Sequence, residues 1–193
     1  MSVLADRDLR ARLDAPEVYY PSALNQIARL ICDPRDDARI QPASIDLTLA
    51  NEWLTFPEGT EAIDMDHAKA VGTEKTIAEA YLLQPHELIL CSTIEYVEIP
   101  RDLQAQVHGK SSLGRLGLLV HVTAGFIDPG FRGKITLEMY NLNNRPILLR
   151  AGKPICQLSL TALSRPAEFP YGHEKLGSKY QDQTEVTGSR YDG

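Results

Sequence analysis

The sequence predicts a single, mainly β domain in which many short strands form a barrel or a sandwich. Its 193 residues suit one domain with a substantial core. Runs rich in β-branched and aromatic residues, such as residues 88–93 and 95–99, are bounded by Pro85 and Pro100. Such runs between turn-forming residues are typical of strands, and many of them with few helices favour a β-barrel or sandwich.

The N-terminal half predicts one helix and one early strand. Residues 6–13 have the pattern of a short amphipathic helix, with Leu9 and Leu13 on one side. Residues 44–56 alternate between apolar and polar side chains and predict a strand. Residues 61–80 mix polar and small residues without a clear period, so we expect a loop with some helix there.

The C-terminal half continues the strand pattern and ends in a polar tail. Residues 147–149 and 155–163 are short apolar runs that predict further strands. The tail from Gly172 is polar and contains three further glycines, at positions 177, 188 and 193. Its composition alone predicts disorder.

Composition narrows the classes of protein that need to be considered. The net charge of −6 argues against broad nucleic-acid binding. No stretch is long and apolar enough to cross a membrane, and the N-terminus carries charge where a signal peptide needs an apolar run. The three cysteines are scattered and odd in number. They therefore predict a reducing, cytoplasmic location rather than a disulfide framework.

The most informative stretch is residues 108–141, which holds an unusual density of polar and charged side chains. Its first part contains two hydroxyls and two fixed cations, on Lys110, Ser111, Ser112 and Arg115. A strand that ends near Val107 would direct the following backbone N–H groups at one point, where nearby cations would help them to attract phosphate. We therefore expect phosphate binding, although the serines could also cap a short helix over residues 113–116 in a plain turn.

A nucleoside-triphosphate P-loop is an alternative for this segment, because Gly109, Lys110 and Ser111 resemble the end of that motif. The motif needs a glycine five positions before its second glycine. Gln104 stands there instead. The flanking segments also predict strands rather than a βαβ unit, so the P-loop is disfavoured.

A second informative feature is the alternation over residues 134–142. Apolar Ile135, Leu137 and Met139 alternate with polar positions, among them Glu138. A period of two predicts a strand with one apolar and one polar face. Glu138 would lie either on a wet outer face or on a pocket wall, where partial withdrawal from water would raise its pKa and suit it to proton transfer. The strand pattern leaves both possibilities open.

Several motifs together resemble the dCTP deaminase family of the dUTPase-like superfamily. The three strongest lie at residues 110–115, 121–130 and 135–138, and weaker ones at 6–9, 41–46, 154–158, 171 and 177–181. The similarity covers nearly the whole chain and is weakest at residues 58–80 and 16–39, the second of which looks longer than usual. It implies one domain over residues 1–193, a distorted β-barrel of the dUTPase-like (β-clip) type with a few short helices, and assembly as a homotrimer.

The resemblance also implies deamination without zinc. Zinc deaminases of nucleobases carry a His-x-Glu element and a Pro-Cys-x-x-Cys element, and this sequence has neither. A carboxylate must then activate the water directly. By resemblance this is Glu138, with Ser111 and the carbonyl of Ala124 holding the water and Arg115 orienting the carboxylate.

Binding roles follow from the resemblance in the same way. Mg²⁺ would be held mainly by the triphosphate of dCTP, with no direct protein ligand. Asp128 would accept a hydrogen bond from the deoxyribose 3′-hydroxyl. The phosphate-side loop, shared across a subunit boundary, would comprise Lys110, Ser111, Ser112, Leu113, Gly114 and Arg115. The base and sugar would meet Thr136, Leu137, Glu138 and Gln157. The flexible segment 172–193 would close over the nucleotide, and the triphosphate would meet Tyr171, Lys179 and Gln183.

The pair Gly125-Phe126 bears on a second reaction. By resemblance, members that release dUTP tend to carry His-Arg after Ala124, whereas members that also form dUMP and pyrophosphate tend to carry glycine and an aromatic residue. The pair therefore favours the dUMP-forming, bifunctional type, with Asp128 as the carboxylate for cleavage. A monofunctional deaminase, a pure dUTPase and a nucleotide sensor stay as alternatives. Feedback inhibition by dTTP, through the turn at residues 121–123, is a further expectation.

Overall fold

The computed structural model describes residues 2–16 and 28–191, and only the backbone of residues 68–70. Much of the segment that the sequence marks as lengthened, residues 16–39, lies outside the described residues, as does the end of the C-terminal segment. Within these ranges the helices are α1 (Asp6–Asp14) and α2 (Ser111–Gly114), with 3-10 turns at Asp37–Arg39, Met65–Ala70 and Glu174–Leu176. No helix in the described ranges is both long and apolar enough to span a bilayer.

Thirteen strands are distributed through the rest of the described chain. They are β1 (Ile31–Asp33), β2 (Ile40–Gln41), β3 (Ser44–Thr48), β4 (Glu52–Thr55), β5 (Glu74–Ile77), β6 (Ala80–Leu83), β7 (Leu88–Glu98), β8 (Leu103–Gly109), β9 (Leu118–Leu119), β10 (Phe126–Ile127), β11 (Arg132–Asn141), β12 (Ile147–Arg150) and β13 (Pro154–Ala162). The mainly β prediction with a few short helices is confirmed.

The strands form two main sheets around one core. One sheet has the order β5-β4-β7-β11-β9, with β1 also paired to β7, and the other has the order β10-β8-β13-β3-β2. A separate two-stranded antiparallel sheet pairs β6 with β12. Fully buried side chains from both sheets meet between them, among them Leu47, Ile89, Leu103, Leu137 and Leu158. The two sheets do not close into a complete barrel.

The helix predicted at residues 6–13 is confirmed as α1. Leu9 and Leu13 are buried on its inner side. Near its end, Arg12 pairs with Asp102 at 2.7 Å, and both side chains are mostly shielded from water. This contact fixes α1 against the turn between β7 and β8.

The single strand predicted over residues 44–56 is instead two strands, β3 and β4, in different sheets. Between them the chain crosses the core: Leu49 forms a bridge with Thr93, and the Ala50 N–H donates to the Ser92 carbonyl. Strand β5 lies within the segment predicted as a loop. All four of its residues are exposed, so it lacks the alternating burial that marks a strand in sequence.

The pairing of strand β7 with strand β11 carries an irregularity. The register shifts between Lys134 and Thr136. The Thr93 hydroxyl accepts from the Ile135 N–H at 3.0 Å and donates to the Glu95 carbonyl at 2.9 Å. The Glu95 carboxylate accepts from the Thr48 N–H at 2.8 Å, across to the second sheet. Buried side chains thus satisfy backbone groups that the bulge leaves without ladder partners.

The C-terminal segment follows a defined path along β11. The Lys134 N–H donates to the Gln183 carbonyl, and the Asp182 N–H donates to the Arg132 carbonyl, both at 2.8 Å. Val186 is buried in a small apolar cluster with Leu54 and Leu90. The composition of this segment predicts disorder, but these contacts with two strands supply the apolar burial that its own sequence lacks.

Substituting valine for Thr93 should destabilise the fold, because the same shape without a hydroxyl leaves the Ile135 N–H and the Glu95 carbonyl unpaired. We expect a loss of about 1–3 kcal/mol in the free energy of unfolding. The measurement is denaturant unfolding at fixed protein concentration. Thr76→Val is the matched control on exposed β5 and should change stability by less than about 0.5 kcal/mol. A Thr93→Val protein as stable as the wild type would contradict this account.

Candidate active site

A pocket of about 520 Å³ lies between β10, β11 and the C-terminal segment. It brings together many of the residues that the sequence selects. Those in its wall are Ala124, Phe126, Asp128, Thr136, Glu138, Tyr171 and Gln183. These selected residues therefore bring two carboxylates, two aromatic rings and several hydrogen-bonding groups to one pocket.

Strand β11 places Glu138 on the pocket wall. Its residues alternate strictly between partly exposed and buried, so that Lys134, Thr136 and Glu138 share the pocket face. The Val122 N–H donates to Oε2 of Glu138, with a nitrogen–oxygen distance of 3.4 Å. Of the two positions that the sequence leaves open for Glu138, the structure shows the pocket wall. Leu137 lies on the opposite face and its side chain is fully buried in the core, which leaves its backbone for any contact with a ligand.

Asp128 follows β10 and faces the same pocket. Although much of the residue is accessible, partial desolvation by the pocket raises the pKa of its carboxyl above the ordinary value. Tyr171 lies nearby, with its ring edge-on to Phe131 at 5.7 Å between centroids. Burial also raises the pKa of the Tyr171 hydroxyl, which accepts from the Tyr180 N–H at 3.0 Å. Phe131, Tyr171 and Tyr180 thus form an aromatic wall at this end of the pocket.

The C-terminal segment supplies one side of the pocket. Gln183 is buried, and its amide donates to the Thr136 hydroxyl at 2.6 Å and to the Lys134 carbonyl at 3.2 Å. Tyr180 and residues 187–189 continue this wall. The segment therefore covers β11 directly above the residues that line the pocket.

The predicted phosphate-side loop does not line this pocket. A short helix forms there as α2, with Lys110 rather than a serine at its N-cap. The Lys110 ammonium pairs with Asp46 at 2.7 Å, and both side chains are largely buried. Ser111 and Arg115 are exposed, and neither side chain bonds to Glu138 within the described chain.

Other predicted residues of the loop group lie on the same side of the molecule. Ser112 and Gly114 are exposed, whereas Leu113 packs partly against the core. The Gln157 amide donates to the Ser44 hydroxyl at 3.2 Å, and Gln157 is paired across β13 and β3 with Asp46. The predicted site is therefore divided within one chain into a pocket group and a loop group.

Two further predicted residues also lie outside the pocket wall. The Lys179 ammonium lies 4.8 Å from the centre of the Tyr191 ring. Gly125 lies between two pocket residues, but a Cβ atom there would come within 2.9 Å of the Val107 carbonyl and 3.0 Å of the His121 ring. Glycine fits at position 125 because its lack of a Cβ atom avoids these two close contacts.

Lys134, Phe131 and Tyr180 line the pocket without having been selected from the sequence. The alternation of β11 could have identified Lys134, because it lies two residues before Thr136 on the same face. Tyr180 lies in the motif at residues 177–181, but the sequence does not mark it or Phe131 as a pocket residue, because their places depend on contacts between distant segments. In the described part of the chain, no group of three or more His, Cys, Asp or Glu side chains could hold a metal ion.

Comparison with known proteins identifies the family. A family model described as dCTP deaminase-like matches residues 21–163. A protein named "dCTP deaminase, dUMP-forming" from Mycobacterium sp. (strain KMS) is 46% identical over 193 residues, covering 97% of this chain and 95% of the relative. Another of the same name, from Streptomyces avermitilis, is 43% identical over 194 residues, covering 97% and 94%.

A solved structure shows the same fold. The crystal structure of 2′-deoxycytidine 5′-triphosphate deaminase from Agrobacterium tumefaciens superposes with a TM-score of 0.62 at 22% identity. The match covers 83% of this chain and 48% of that one, so this chain spans about half its length. The resemblance seen in the motifs is confirmed over nearly the full sequence, and the chain belongs to the dCTP deaminase-like family.

Proposed function

We propose that this protein deaminates dCTP at C4 of cytosine and then hydrolyses the resulting dUTP to dUMP and pyrophosphate. The observation that carries the proposal is the presence of two carboxylates, Glu138 and Asp128, in the wall of one pocket. The two reactions each need a water placed and activated by a base. The dUMP-forming relatives support the assignment of both reactions to one chain.

In the deamination step, Glu138 takes a proton from water as the water oxygen bonds to C4. The carboxyl then delivers that proton to N3, which gives a tetrahedral intermediate. A second transfer moves the proton of the new hydroxyl to the exocyclic nitrogen, and the C4–N bond breaks to release ammonia. The products are dUTP and ammonia. The carbonyl of Ala124, a residue of the pocket wall, would hold the water.

In the cleavage step, a second water attacks the α-phosphorus of dUTP and pyrophosphate leaves from the opposite side. Asp128 would accept the proton of this water and, in the bound state, the hydrogen bond of the deoxyribose 3′-hydroxyl. Its pKa is raised by desolvation, which makes the carboxylate a stronger base than an ordinary aspartate. Mg²⁺ held by the phosphate oxygens would neutralise charge on the leaving pyrophosphate.

A second copy of the chain would complete each site. Ser111, Ser112 and Arg115 are exposed on α2 and do not line the pocket of their own chain. Their hydroxyls and guanidinium are the groups that a triphosphate and a Glu138–water pair require. A homotrimer, in which the loop of one chain meets the pocket of the next, would supply them, with Gln157 on the loop side.

Two further features of the proposal concern closure and control. Tyr171, Lys179 and Gln183 would meet the triphosphate, with segment 172–193 closing the site against water. Inhibition by dTTP would act through the turn at residues 121–123, because the Val122 N–H contacts the Glu138 carboxylate. A shift of that turn would move both the carboxylate and the Ala124 carbonyl.

Incubation of the wild-type protein with dCTP and Mg²⁺ tests the proposal. Ammonia with dUMP and pyrophosphate is the expected result. Ammonia with dUTP would restrict the protein to deamination. Turnover of dUTP without turnover of dCTP would make it a dUTPase, and nucleotide binding without any turnover would make it a sensor.

Glu138→Gln should abolish ammonia release while dCTP binding survives, because the amide keeps the shape of the carboxylate but cannot accept the water proton. We expect a loss of at least about 10²-fold in the rate. Ammonia assay and calorimetric titration measure the two properties separately. Glu168→Gln, at an exposed glutamate, is the matched control and should behave as the wild type. Near-normal ammonia release from Glu138→Gln would remove Glu138 from the catalytic role.

Gly125→His should separate the two reactions, so that ammonia is still released and dUTP accumulates. A side chain at this position presses on the Val107 carbonyl and the His121 ring, and we expect the added imidazole to fill the space that the second water needs. Ion-exchange chromatography of the products from dCTP gives the ratio of dUTP to dUMP. Gly59→His, where nothing lies within 4 Å of the added Cβ, is the control. An unchanged dUMP fraction in Gly125→His would show that Gly125 does not govern cleavage.

A further inference from the structure

Lys134 is the one positively charged residue among the described residues that line the pocket. It lies on the same face of β11 as Thr136 and Glu138, and the other charged groups in the wall are the carboxylates of Asp128 and Glu138. A pocket that is to hold a polyanion needs positive charge. Among the described residues that line the pocket, Lys134 alone supplies it.

The backbone of Lys134 is fixed, whereas its ammonium is not engaged. Its N–H donates to the Gln183 carbonyl at 2.8 Å, and its carbonyl accepts from the Gln183 side chain at 3.2 Å. Two other lysines, Lys75 and Lys110, form ion pairs. Across the described residues, no ion pair or hydrogen bond involves the Lys134 ammonium. A half-buried cation of this kind gains most from an anion that arrives with a ligand.

The position along β11 indicates which part of the ligand Lys134 meets. Strand residues rise about 3.3 Å each, so Lys134 lies about 13 Å from Glu138 along the strand. In the proposed function Glu138 acts at C4 of the base. A group that far along the same wall lies towards the opposite, phosphate end of the nucleotide, within reach of a flexible lysine side chain.

We propose that Lys134 binds the phosphate chain of the nucleotide and that it is a determinant of specificity for the triphosphate. This inference rests on the proposed function for the orientation of the nucleotide. The contact comes from the same chain that supplies Glu138, in contrast to the loop of Ser111, Ser112 and Arg115, which a second copy would bring. Docking of Gln183 on the Lys134 backbone places this cation where the C-terminal segment closes the pocket.

The test compares Lys134→Met, Lys134→Gln and Lys134→Arg with the wild type in the full-length protein. For both neutral variants we expect the KM for dCTP to rise about tenfold or more, the usual scale for loss of a hydrogen bond to a charged group, with kcat within about threefold. Lys134→Arg should stay close to the wild type. Inorganic tripolyphosphate should inhibit the neutral variants more weakly by a similar factor. Lys153→Met, at an exposed lysine outside the pocket, is the matched control.

Three results would overturn the inference: an unchanged KM for dCTP in both neutral variants, equal inhibition by tripolyphosphate, or the same loss in Lys134→Arg as in Lys134→Met. Calorimetric titration with dCTP separates this inference from the proposed function. If the wild type binds dCTP but releases no ammonia, the proposed function fails, and weaker binding by both neutral variants still supports the role of Lys134. If the wild type releases ammonia and the neutral variants bind dCTP equally well, only the inference fails.

Discussion

The Thr93 hydroxyl, held between the Ile135 N–H and the Glu95 carbonyl, is the contact on which the arrangement of the site depends. It provides hydrogen-bond partners for backbone groups at the point where the pairing between β7 and β11 shifts. Because side chains alternate along a strand, a shift of one residue in the pairing of β11 would turn its pocket-facing side chains towards the core. The buried Glu95 carboxylate links this region to the second sheet, because it accepts a hydrogen bond from the Thr48 N–H. One bulge therefore fixes which β11 side chains face the pocket.

The pocket needs a third element, the C-terminal segment. Its polar composition could not drive folding on its own, and its order comes from pairing beside Gly133 and from burial of Val186. Gln183 connects the segment to Thr136 and to the Lys134 backbone. A segment with so little buried apolar surface belongs to the low-stability part of a fold, which is consistent with the opening and closing that we propose for this wall.

The sequence predicts those parts of the fold that have a regular pattern of burial. Helix α1 and strand β11 are amphipathic, and their periods identify both the elements and, for β11, the face that carries Glu138. Strand β5 has no such pattern because all of its residues are exposed. The sequence also gives no sign that the chain changes sheets at Leu49 and Ala50, because the apolar alternation of β3 continues towards β4.

The site is predicted less completely than the fold, since its chemistry depends on partners far apart in sequence. The motifs select Lys110 for phosphate, yet its ammonium pairs with Asp46. Gly125 is chosen as a position that leaves space, and the structure shows that a Cβ there would come within 2.9 Å of the Val107 carbonyl, so that a neighbour would have to shift. Lys134 lies in the alternation over residues 134–142, a pattern that predicts its face of the strand but not which side chains share the pocket. These outcomes follow from packing between segments, which local patterns do not encode.

The division of the site into a pocket group and a loop group leads to the central claim, that each active site is built from two copies of the chain. Co-expression of Glu138→Gln and Arg115→Ala chains tests it directly, since each variant alone lacks one half of every site. In randomly mixed cyclic trimers, about one quarter of the sites would pair an intact Glu138 with an intact Arg115 from the neighbour. Ammonia release from dCTP at about a quarter of the wild-type rate is the expected result. Mixed trimers that are as inactive as the two parents would contradict the claim.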